Sequence, residues 1–85
     1  MPIISRFFGI AVALFWNDHV PPHFHARYGE HEAIVNIENG LSEGYLPPRA
    51  MALVQEWRKL HVKELEEDWE LARLRKALKL IKPLE

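Results

Sequence analysis

The sequence predicts an α+β protein, a small antiparallel sheet of three to four strands followed by two C-terminal helices packed on one face. Three observations lead there. Residues 10–46 carry short apolar or alternating runs divided by Pro21-Pro22, Gly29 and Asn39-Gly40, whereas residues 49–82 hold neither Gly nor Pro. Along that second half the apolar side chains recur at helical spacing.

The first strand is expected over the apolar run Ile10 to Trp16, where an unbroken series rich in strand formers implies cover on both faces. Ile3 to Phe8 is read as a further short extended segment, and Gly9 as a bend or bulge leading in. After the diproline, His23, His25 and Arg27 alternate with Phe24, Ala26 and Tyr28, so the two triplets point to opposite sides of a strand. Gly29-Glu30 reads as a turn and Glu32 to Glu38 as the next strand, with Ala33, Val35 and Ile37 on one face. Asn39-Gly40 is a hairpin signal because both residues tolerate positive φ, and Leu41 to Leu46 makes a weaker strand interrupted by Gly44. Pro47-Pro48 ends the sheet and suits the start of a helix.

Ala50, Leu53, Val54, Trp57, Leu60 and His61 form one helical stripe. Val62, Leu65, Trp69 and Ala72 form a second, rotated about 100° from the first on a straight helix. A break near His61-Val62 would realign the two. Leu78 to Leu84, with Lys79 and Lys82, is read as a final turn or a lysine-protected edge strand.

A chain of 85 residues, 48% hydrophobic and 27% charged, suits a single domain over 1–85, with three Trp, two Tyr and four Phe to fill its core. Cysteine is absent, which removes disulfides and thiolate chemistry and points to a reducing, cytoplasmic setting. The ten-residue apolar run is about half a membrane span, and no signal-peptide pattern precedes it. A net charge of −1 gives no global footprint for nucleic acid. Glu64, Glu66, Glu67, Asp68 and Glu70, followed by Arg73, Arg75, Lys76, Lys79 and Lys82, read as a solvated helix face that complements the macrodipole.

Chemistry concentrates in Asn17-Asp18-His19-Val20-Pro21-Pro22-His23-Phe24-His25, which holds three of the five histidines. His23 and His25, two apart on one strand face, can share a divalent transition metal, with Asp18 or His19 returning across the prolines as a third ligand. Three protein ligands and an open position would polarise water or a carbonyl, the pattern of a small metal-dependent hydrolase or nuclease. Two other readings stand beside it. Asp18 and the strand histidines can be ordinary hydrogen-bonded residues of a turn. Alternatively, Asp18, His19, His23, His25 and Arg27 form a recognition surface beside Ala11, Ala13 and Phe15. That face is too apolar to stay wet and would be covered by a second copy of the chain or by a small partner protein. Arg6, Phe7 and Phe8 with Arg27 and Tyr28 give only a thin case for single-stranded nucleic acid. Ser5 and Ser42 have no readable base, and the four glycines form no phosphate loop.

Ile4-Ser5-Arg6-Phe7-Phe8-Gly9-Ile10, the Asn17 to Ala26 segment, Leu46-Pro47, Glu56-Trp57 and Trp69-Glu70-Leu71-Ala72 resemble the small bacterial domain-of-unknown-function family 4160. The resemblance implies a stand-alone protein of this length, often encoded beside another small protein, within a toxin–antitoxin-like or regulatory locus. It carries no established catalytic residues, so it implies an interaction module more than a reaction.

Overall fold

In a computed structural model that describes residues 2–85, the chain runs β1 (Ile3–Phe7), β2 (Ile10–Ala13), β3 (His23–Tyr28), β4 (His31–Asn36), β5 (Ser42–Gly44), α1 (Pro48–Leu60) and α2 (Val62–Arg73). The strands form one antiparallel sheet in chain order. The α+β class and the two C-terminal helices are as expected, but the sheet has five strands where three to four were predicted. The addition is β1, a full strand paired with β2 through a turn at Phe8-Gly9, where both residues hold positive φ. The bend expected at Gly9 is this turn, and a separate register shift lies between Ile3 and Ser5.

Several boundaries differ for local reasons. β2 stops at Ala13, because the chain reverses at Trp16-Asn17 with Asn17 in the left-handed region, φ 61°. β4 ends at Asn36, two residues early. The Asn36 Oδ1 accepts the backbone N–H groups of Glu38 and Asn39, and this Asx turn draws the chain away from the ladder.

Val12, Phe24, Ala26 and Val35 face the helices and are fully buried with Val54, Trp57 and Leu65. Each large side chain removed from water in this way contributes about 1.5–3 kcal/mol. The helix break falls at His61, whose φ −127° and ψ 25° are not helical. Neither Gly nor Pro causes it. The break lets Trp57 of the first stripe and Leu65 and Trp69 of the second reach the same core. Leu60, at the helix end, is left out of that core and is 66% exposed.

Beyond α2 the chain is neither a final turn nor a ladder strand. Arg75, at φ 59°, turns it back, and three hydrogen bonds hold the C-terminal segment against the body of the fold. The Lys79 N–H donates to Asp68 Oδ1 at 2.9 Å, the Ile81 N–H to the Ile4 carbonyl at 2.8 Å, and Trp57 Nε1 to the Lys82 carbonyl at 2.9 Å. Asp68 therefore departs from the solvated face expected for the acidic run. It is 1% exposed, its Oδ2 has no partner, and burial outweighs the Lys79 amide to push its carboxyl above the usual range.

No helix among the described residues is long and apolar enough to cross a membrane.

Candidate metal centre

The strand register sets the site. Ala11 pairs with Arg27 and Ala13 with His25, while Glu32, Ile34 and Asn36 stand opposite Arg27, His25 and His23 on the other side of β3. His23, His25 and Arg27 thus share the face away from Phe24 and Ala26, as their alternation requires. That face is not bare at its His23 end. The segment after β2 folds back over it, placing the Phe15 ring edge-on to His25 at a centroid distance of 4.5 Å. Ala13 is fully buried, and the side chains of His23 and His25 are only 6% and 14% exposed. At that end the chain's own loop covers Ala13 and the two histidine rings.

Asp18 is the hub. Its Oδ2 lies 2.8 Å from His23 Nε2 and 3.4 Å from His25 Nε2, and its Oδ1 accepts the His19 N–H at 2.9 Å. Burial disfavours the Asp18 charge, but the His19 amide and the His25 and His23 rings outweigh it and hold the carboxyl below its ordinary range. The other ring nitrogens are also engaged. His23 Nδ1 is 2.8 Å from the Pro21 carbonyl, and His25 Nδ1 is 3.1 Å from Glu32 Oε2. Glu32 in turn accepts from Arg27 Nη2 at 2.9 Å, and that bond, more than the one from His25, keeps its carboxyl low. His23 is further braced by Trp69 of α2, its ring centroid 5.3 Å away.

This arrangement is short of protons. Two neutral imidazoles carry two N–H groups, yet the four ring nitrogens all face oxygens, a carbonyl and carboxylates that accept only. Placing both protons on Nδ1 satisfies Pro21 and Glu32 and leaves two Nε2 lone pairs aimed at the Asp18 oxygen. A cation at that point resolves the conflict, whether protons on the rings or a metal ion between them.

The spacing admits a metal as well as protons, since 2.8 and 3.4 Å are also hydrogen-bond separations. Donors about 2.0–2.1 Å from an ion are about 2.9 Å apart across an octahedral right angle and about 3.3 Å apart at a tetrahedral one. The two separations from Asp18 Oδ2, 2.8 and 3.4 Å, lie close to this range. Among the described residues, Asp18, His23 and His25 form a group of three potential ligands whose donor atoms all lie within 4.8 Å of one another. The set also has the outer partners that ligating histidines ordinarily have, a backbone carbonyl on one ring and a carboxylate on the other.

Sequence reasoning named all three residues as candidate ligands. His19 is adjacent but serves the second oxygen of Asp18, with its own side chain 82% exposed. Arg27 does not reach the cluster and acts on it only through Glu32. Glu32, the Pro21 carbonyl and Trp69 were missed. Glu32 was legible in principle, because a two-residue turn at Gly29-Glu30 places it opposite Arg27 and diagonal to His25.

A groove of about 460 Å³ opens beside the centre, running from His19 and His23 over Ile34 and Asn36 to Leu41 and Glu43.

The family described as "Domain of unknown function (DUF4160)" matches residues 9–70, a stretch that contains every residue of this site. The chain belongs to the DUF4160 family. The match spans β2 through most of α2, so the resemblance seen in the Asn17 to Ala26 segment extends across the sheet and both helices, while β1 and the C-terminal segment lie outside it. No curated protein and no solved structure matches the chain.

Proposed function

We propose that this DUF4160 chain is a small metal-binding module, with a divalent transition ion held by Asp18 Oδ2, His23 Nε2 and His25 Nε2. The observation that carries the reading is the proton shortfall, four ring nitrogens facing acceptors around one carboxylate oxygen at ligand spacing. Three protein donors leave coordination positions open, which suits Lewis-acid activation of water or a carbonyl and hence hydrolysis. Elemental analysis of tag-free protein tests it. About one equivalent of zinc, or of a neighbouring transition metal, is expected, falling to background in His23→Ala and His25→Ala. Metal-free protein that also fails to take up added Zn²⁺ or Co²⁺ would sink the reading.

A second reading rests on exposed apolar side chains. Leu41, which lines the groove, is 73% exposed, and Val20 in the loop after His19 is 73% exposed, which suits contact with a second copy or with a small partner protein in a toxin–antitoxin-like pair. Light scattering at micromolar concentration, alone and with the neighbouring gene product, distinguishes a lone monomer from either complex.

A further inference from the structure

At the end of the sheet remote from the histidine cluster, the first turns of α1 and the β1–β2 turn enclose a cavity of about 160 Å³. Its wall residue Tyr28 lies five residues along β3 from His23, about 16 Å away, so the cavity is independent of the metal-binding reading above. The strand register explains what lines it. Ile10 pairs with Tyr28, and Tyr28 shares the helix-facing side of β3 with Phe24 and Ala26. Ile10 and Ala50 are buried and, with half-buried Leu53, make an apolar floor. Phe8 and Tyr28 are exposed aromatic walls. The Tyr28 ring is braced by the turn itself, where a Cβ on Gly9 would come within 3.3 Å of it.

The space suits one ring. An apolar cavity of about 150 Å³ takes up benzene, and a ring held against aromatic walls gains contacts beyond its burial. The charge is equally specific. No carboxylate lines the cavity, and Arg49 is its one charged side chain. Arg27 and Arg73 are paired with glutamates and Arg58 donates to carbonyls, whereas Arg49 has no partner of either kind among the described residues. The first turn of α1 holds no acid that could supply one. A guanidinium is a rigid fork of donors that a carboxylate meets with two parallel hydrogen bonds. A cationic ring would meet repulsion at Arg49, and a carboxylate without a ring would leave the apolar floor uncovered.

We infer that this cavity binds a small planar carboxylate, a single aromatic ring bearing one carboxylate group. The ring lies over Ile10, Ala50 and Leu53 beside Phe8 and Tyr28, and the carboxylate pairs with Arg49.

The test is titration of the full chain with benzoate, followed through backbone amide NMR signals. Saturable shifts centred on residues 8–10, 28 and 49–53 are expected. Benzylamine, which has the ring and the opposite charge, and acetate, which has the charge and no ring, should each bind at least about tenfold more weakly. Arg49→Gln should weaken benzoate binding about tenfold and leave benzyl alcohol binding unchanged, whereas Phe8→Ala should weaken both. Both substitutions are at exposed positions, and the dispersion of the same spectra reports folding. Absence of saturable shifts in the folded protein overturns the proposal, as does equal binding of benzylamine or an unchanged benzoate affinity in Arg49→Gln. Shifts of the same signals on diluting the protein without ligand also overturn it, because a second copy of the chain then fills the cavity.

Discussion

Replacing Glu32 by Ala probes the outer partner of the centre without touching a ligand. Glu32 Oε2 lies 3.1 Å from His25 Nδ1, and a proton held there would leave Nε2 free to face the proposed ion. Loss of such a partner typically weakens metal binding about 10–100-fold. Glu32 is 40% exposed and shares itself with Arg27, and water can replace part of what it does, so the lower end applies. The expected change is about tenfold, or about 1.4 kcal/mol. Folding should hardly register it, because an exposed ion pair such as Arg27–Glu32 contributes about 0–1 kcal/mol. The assay is competition for Zn²⁺ against a chromophoric chelator, paired with thermal unfolding of the metal-free proteins. Arg27→Gln, which touches the centre only through Glu32, should alter affinity less than threefold, on the order of 0.6 kcal/mol. Equal affinities for Glu32→Ala and the parent would refute the argument that His25 is oriented from outside the ligand set.

Arg58 is buried without a carboxylate partner and donates to the carbonyls of Ile37 and Glu38. Arg58→Met, which leaves both oxygens unpaired, should cost about 3 kcal/mol and lower Tm by more than 10 °C by circular dichroism. Asp68 has its carboxyl pushed up by burial, so the folded state holds its proton more tightly than the unfolded state, and stability falls as pH rises through that window. Asp68→Asn should therefore flatten the acid side of the stability profile and raise Tm near pH 7; a lower Tm at neutral pH with an unchanged profile would contradict this. Gly44, at φ 90°, would place a Cβ 2.5 Å from the Glu32 carbonyl oxygen, whereas a Cβ at Gly29 meets nothing within 4 Å. Gly44→Ala should destabilise by about 3 kcal/mol or more and Gly29→Ala by about 1 kcal/mol in urea titrations; the reverse order would be inconsistent with the packing.

Much of the site was visible before any fold. The alternation from His23 to Tyr28 places two imidazoles on one face whatever the strand pairs with, because a period of two is a property of the extended backbone itself. The helix break at His61 was equally readable, since two stripes about 100° apart cannot both meet one core on a straight helix. The missing pieces were relational. Glu32 belongs to the centre only through the β3–β4 register, and Trp69 only because α2 reaches the His23 end of the sheet. Asp68 read as one more acid in a solvated run until the returning C-terminal segment buried it.

By itself the sequence determined the class of fold, the order of its halves, the family and the three ligand candidates, all of which come from local periodicity, turn chemistry or a contiguous motif. Tertiary structure decided that Asp18, and not His19, faces both rings, and that the loop after β2 packs over the His23 end of the sheet face. It also decided that Arg27 serves the centre at one remove. These outcomes depend on where a reversing loop lands on the sheet, a matter of long-range packing that no local spacing encodes.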